Sequence, residues 1–141
     1  MKVAVAPASP KTAAAAIRIL LHHTHTNGEP TEVRAFYRDT KRAPVEFTSK
    51  PNFVARKATL DDPSTLDFSG IDVVLTVTPP GFNGAKDLVQ HAEDVSRGVK
   101  EAIERAGSVK KLVLLSSVGA HLSEGVVSWL DTVHLSRHSN L

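Results

Sequence analysis

The sequence has no cysteine among its 141 residues. That excludes a disulfide framework and any thiolate metal site. No run approaches the ~18 apolar residues needed to cross a bilayer, so a membrane span is excluded. The start, Met1 to Ala6, runs directly into a strand-like segment without the architecture of a secretory signal, and a cytoplasmic location is the expectation. Charge of one sign is also scarce. Lys and Arg number 17 against 15 Asp and Glu, a formal net charge of +2, far too small to indicate a nucleic-acid binder. Charge blocks, repeats and low-complexity tracts are missing too, so the chain reads as one domain, 1–141, about the length of a single core.

What the chain does contain is an alternation of short apolar runs with helical patterns. Lys2 to Ala6 is a compact strand-like run bounded by Pro7, and Lys11 to His23 is alanine-rich with Ile17, Leu20 and Leu21 at helical spacing. Asn27, Gly28 and Pro30 break the chain. Glu32 to Arg38 alternates like a strand with one polar side, and Asn52 to Arg56 is a weaker third strand. Asp62-Pro63-Ser64 predicts a helix start with a short body through Leu66. Ile71 to Val77 is almost wholly apolar and β-branched, as expected of a strand buried on both faces. Ala85 to Ala106 carries long helical periodicity closed by Gly107, and Lys111 to Leu115 is a fifth strand ending at Ser116-Ser117. A last helical segment is expected within Val126 to Leu141.

This rhythm predicts an α/β fold, a doubly wound parallel sheet of Rossmann-like strand order 3-2-1-4-5. Ligands of such sheets sit beyond the carboxyl ends of the strands. The loops after Ala6, Tyr37, Arg56, Val77 and Leu115 therefore converge on one rim.

Each loop has a functional and a structural reading. After the first strand, Ala6, Ala8, Ser9, Lys11 and Thr12 suit the close approach of a pyrophosphate to backbone amides, with hydroxyls from Ser9 or Thr12 and a charge from Lys11. The same residues also suit a tight turn and helix start, and Pro7 and Pro10 bring no amide hydrogen. Arg38 ends the second strand where an adenosine ribose lies in such folds. An arginine there accommodates a 2′-phosphate, so with Lys41 and Arg42 following, NADP is expected over NAD. A solvated basic loop is the alternative. Thr78 and Pro79 leave the fourth strand beside the place of the nicotinamide, or else merely form a rigid exit loop. Ser116 and Ser117 end the fifth strand, where a hydroxyl could bind a substrate carbonyl or satisfy backbone groups. His121 is the nearest candidate proton donor, although no orienting partner can be named. His22, His23 and His25 match no zinc spacing, and no metal is expected.

Several stretches occur together in a telling order: Pro7-Ala8-Ser9-Pro10-Lys11-Thr12, Arg38-Asp39, Asp61-Asp62-Pro63-Ser64-Thr65-Leu66, Gly70-Ile71-Asp72-Val73-Val74 and Val109 through Ser117. In order and spacing they resemble NmrA-like proteins, atypical members of the short-chain dehydrogenase superfamily, and the alanine-rich first loop is similar to fungal members. The resemblance runs to about Gly125. It implies an NAD(P)-binding protein, either an NADPH-dependent oxidoreductase acting on a small apolar carbonyl, imine or quinone, or a dinucleotide sensor without turnover. By position it implies that Ala6, Ser9 and Thr12 replace the three glycines of the family's loop and that Arg38 meets the 2′-phosphate. It further implies that Thr59 stands where an aspartate flanks the adenine, that Thr78 and Pro79 lie beside the ribose and nicotinamide, and that Ser117 falls near the active-site serine.

The departures are specific. All three glycines are replaced. The single tyrosine, Tyr37, is on the second strand, so no tyrosine acid lies downstream. Relatives continue past the point matching Leu141 with a sixth strand and a substrate-binding region, so a fragment, a shortened product or a degenerate copy is the expectation. An uncovered sheet edge would favour homo-oligomers, which a concentration series by light scattering tests.

Overall fold

In the computed structural model, residues 1–24, 28–77 and 88–115 are described. Valine-rich and alanine-rich runs of five or six residues form five strands: β1 Lys2–Ala6, β2 Glu32–Tyr37, β3 Phe53–Lys57, β4 Val73–Val77 and β5 Lys111–Leu115. All four pairings are parallel, and the order is β3-β2-β1-β4-β5. Val3 lies opposite Val33 on one side and Val73 on the other, so β1 is central and the chain reverses direction of growth beside it.

Helices cover both faces. Helix α1, Lys11–His22, buries Ala13, Ile17 and Leu21, a helical stripe that packs on Val3, Val5, Val33 and Ala35. The single-turn α2, Val45–Thr48, adds Phe47, whose ring lies 5.7 Å from that of Phe53. On the opposite face, α3, Leu88–Ala106, directs Ala92, Val95, Val99 and Ala102 at Ala4, Ala6, Phe36 and Val74. Phe36 and Phe68 meet edge to face, 5.5 Å apart at 85°, an arrangement worth about 0.5–1.5 kcal/mol beyond area burial. Gly107, with φ of 65°, takes the left-handed conformation that ends α3, and its amide donates to Ile103 at 3.2 Å.

Several expectations are corrected in detail. The third strand is shifted one residue along, because Asn52 serves as a tie: its side-chain amide donates to Thr31 O at 2.8 Å. The fourth strand starts at Val73, since the Ile71 amide closes a turn onto Phe68 O at 3.0 Å. It is not buried on both faces. Val74 and Thr76 are buried beneath α3, whereas Val73, Leu75 and Val77 on the α1 side are only half-buried. Val113 and Leu115 of β5, in register with Leu75 and Val77, are 40% and 45% exposed. The short body after Asp62 is a 3-10 turn, Pro63–Thr65, capped by the Asp62 carboxylate, which accepts from Ser64 N at 3.1 Å. A second such turn, Thr40–Arg42, and α2 are further elements that periodicity could not reveal, being one turn long. The helix expected within Val126 to Leu141 lies outside the described residues.

Candidate functional site at the carboxyl rim of the sheet

The first loop leaves β1 through a cis peptide between Ala6 and Pro7. Thr76 Oγ1, buried on β4, donates to Ala6 O at 2.8 Å and ties the two central strand ends together. Ala8 is buried, and its amide donates to Phe36 O at 2.8 Å, which seats the loop against the end of β2. Ala8 N is therefore committed to the backbone. Helix α1 then begins at Lys11, and its first i→i−4 bond is Ala14 N to Pro10 O at 2.9 Å. The amides of Lys11, Thr12 and Ala13 precede that bond and so open at the helix N-terminus. With Ser9 N they form the loop's donor set. Ser9, Lys11 and Thr12 have exposed side chains.

The replaced glycines have a conformational explanation. Among the described residues, every positive φ belongs to Gly28, Gly70 or Gly107, and none lies in this loop. A loop with negative φ throughout accepts Ala, Ser and Pro without strain. What glycine would add is closer approach, while the methyl of Ala8 is turned into the core cluster with Ala13 and Tyr37.

Beyond the ends of β2 and β3 lies an open cleft of about 390 Å³, bordered by Arg38, Lys57, Ala58, Thr59, Asp61 and Thr65. Two residues expected at an adenosine site, Arg38 and Thr59, thus come together. Arg38 Nη2 donates to Asp61 Oδ2 at 2.7 Å, with the side chains 58% and 49% exposed. Thr59 Oγ1 donates to the same oxygen at 3.2 Å and accepts from Asp61 N, also at 3.2 Å. The loop is closed behind them by Thr59 N donating to Thr65 Oγ1 at 3.0 Å and by Thr65 Oγ1 donating to Asp62 O at 2.6 Å. Lys57 was not singled out in the sequence, and Asp61 appeared only within a stretch that carries the resemblance, without a role at the site. An aspartate two residues past Thr59 carries no signal until the fold sets it against Arg38. Asp61 also borders a neighbouring cleft of about 360 Å³ between the Pro63–Thr65 turn and α3, with His91, Asp94 and Arg97 on its wall.

Tyr37 is 2% exposed on the α1 face of β2, among Ala8, Ala13 and Phe47. Its hydroxyl has no hydrogen-bond partner, and burial pushes its pKa above the usual range. Thr78, Pro79, Ser116, Ser117 and His121 lie outside the described residues. So does His25, while His22 and His23 end α1 on the surface. Among the described residues no cluster of three or more His, Asp or Glu is placed to hold a metal ion.

No family model matches the chain, and no curated protein does either. Among solved structures it is similar to an NADPH-dependent quinone oxidoreductase from Escherichia coli, solved with NADPH. That match has 17% identity and a TM-score of 0.64, covering 91% of this chain and 41% of the other. It is also similar to a protein from Burkholderia pseudomallei described as exported, at 22% identity and a TM-score of 0.53, covering 85% of this chain and 49% of the other. The chain thus spans less than half the length of either neighbour. At these identities the likeness is one of fold, and the chain is a Rossmann-like α/β protein with a five-stranded parallel sheet in the order 3-2-1-4-5.

Proposed function

We propose that the chain is a single NAD(P)-binding domain of the NmrA-like kind, taking NADP(H) in preference to NAD(H). The observation that carries this reading is the cleft after β2 and β3, in which Arg38 and Thr59 stand together. Its size suits part of a nucleotide, and Arg38 offers a guanidinium that is more than half exposed. The first loop fits a pyrophosphate with fewer donors than the family's glycine loop: Ser9, Lys11, Thr12 and Ala13 amides, helped by the positive end of α1. A bound nicotinamide would supply hydride chemistry. The protein's part is to hold it across the rim toward a small apolar carbonyl, imine or quinone, with Ser117 and His121 the candidates for binding and protonating the reacting oxygen, and Ser116, Thr78 and Pro79 lining its approach. A cytoplasmic setting belongs to the same reading. No helix among the described residues is long and apolar enough to cross a membrane.

A second reading is a dinucleotide sensor without turnover. It is favoured by the burial of Tyr37, the single tyrosine of these 141 residues, on the α1 face of β2. Calorimetric titration with NADPH and with NADH tests both readings. Micromolar binding with a preference for NADPH is expected, and Arg38→Ala should remove that preference. Equal weakening of both cofactors by Arg38→Ala would mean that the arginine supports the fold and does not read the 2′ position. Binding of neither by the wild-type chain would refute the dinucleotide reading.

A further inference from the structure

The cleft that reads the ribose holds charges of both signs, and they are mounted differently. Arg38 directly follows the end of β2 and borders the cleft with a long side chain. Asp61 sits in a turn whose backbone and hydroxyls fix it, with Thr59 Oγ1 touching both its amide and its carboxylate, and Thr65 closing the loop from behind. A guanidinium has five N–H donors, and the contact with Asp61 Oδ2 uses one of its nitrogens. A phosphate arriving at Arg38 must approach a carboxylate already 2.7 Å from the same group. A hydroxyl arriving there meets that carboxylate as an acceptor.

We infer that the Arg38–Asp61 pair reads the ribose 2′ position in both directions, Arg38 donating to a 2′-phosphate and Asp61 accepting from a 2′-hydroxyl. Resting on the nucleotide reading above, this makes the rim only weakly selective, because each ligand gains one favourable contact and meets one unfavourable charge or lost pairing. Asp61 is a specificity-determining residue with no reacting atom to touch. Its removal leaves Arg38 free for phosphate and takes away the hydroxyl's acceptor. Solvent exposure of both side chains limits the size of either effect.

The test uses fragments that lack the pyrophosphate bridge and nicotinamide, so that the altered first loop is not what is measured. The full chain is titrated with 2′,5′-ADP and with 5′-AMP. Wild type should prefer 2′,5′-ADP by only about threefold to tenfold. Asp61→Asn, which keeps an acceptor for Thr59, should raise that ratio by about tenfold, and Asp61→Ala should shift it the same way. Arg38→Ala should lower it below one. A wild-type ratio above about a hundredfold, or ratios unmoved by both Asp61 variants at unchanged thermal stability, would overturn the inference. Binding of neither fragment would sink it together with the nucleotide reading. Fragment binding with the expected ratios but no NADPH binding would leave the inference standing and refute only the dinucleotide reading.

Discussion

Gly98 of α3 provides a quantitative test of how the turn beside the Arg38 cleft is held. A Cβ added there would overlap the Pro63 ring, meeting Cγ and lying 2.9 Å from Cβ. Pro63 cannot easily retreat, because Arg105 Nη2 donates to its carbonyl at 3.1 Å and to Leu66 O at 3.0 Å, clamping the turn to the helix. Two effects oppose each other in Gly98→Ala. Alanine in a helix interior is better than glycine by about 1 kcal/mol, while forcing a carbon into a packed contact costs about 1–3 kcal/mol. With both sides held, overlap should prevail and stability fall by about 1–2 kcal/mol, a drop of roughly 3–8 °C in Tm. Thermal melts by circular dichroism read this directly. Pro63→Ala in the same chain removes the obstructing ring, so Gly98→Ala should then be neutral or stabilising, a coupling of about 1 kcal/mol or more. If Gly98→Ala alone raises Tm, the packing of α3 on the Pro63–Thr65 turn is looser than described, and the placement of Thr59 and Asp61 loses its support.

Other expectations follow from single groups. Tyr37→Phe removes a buried hydroxyl that has no partner, so stability should rise by up to about 1 kcal/mol in urea titration; a loss of that size would mean the hydroxyl is bonded. Asp72 is held below the usual carboxylate range by Lys110 Nζ, which donates to it at 2.9 Å, and by the Lys2 amide at 2.8 Å. A carboxyl depressed in the folded state stabilises above its unfolded pKa, and that stability is lost as pH falls through the folded value. Asp72→Asn should therefore be the less stable protein at neutral pH and converge with wild type as pH falls through the depressed folded value; parallel pH–stability curves would refute the assignment.

The strands, α1 and the C-terminal end of α3 were legible in the sequence because each is a run of matching residues with its own punctuation. Pro7 bounds β1 and Gly107 closes α3. Parallel order followed from the alternation itself, since right-handed crossovers leave few arrangements. Short elements escaped because four residues or fewer cannot display a period, as with Val45–Thr48 and Thr40–Arg42. The half-buried α1 face of β4 escaped for another reason. An apolar run reports what a strand can bury, and only the packing decides what covers it.

At the candidate site the division is similar. A strand end in this pattern has a known place on the rim and marked Arg38, while the family resemblance alone marked Thr59. That Ala8 N is spent on Phe36 O, and that Asp61 faces Arg38, depend on residues distant in the chain meeting in space. By itself the sequence determined the parallel sheet and the rim on which ligands gather, since these follow from hydrophobic period and chain connectivity. Only the tertiary structure decided which amides remain free and which charges oppose one another, because hydrogen bonds and ion pairs are set by distance in space.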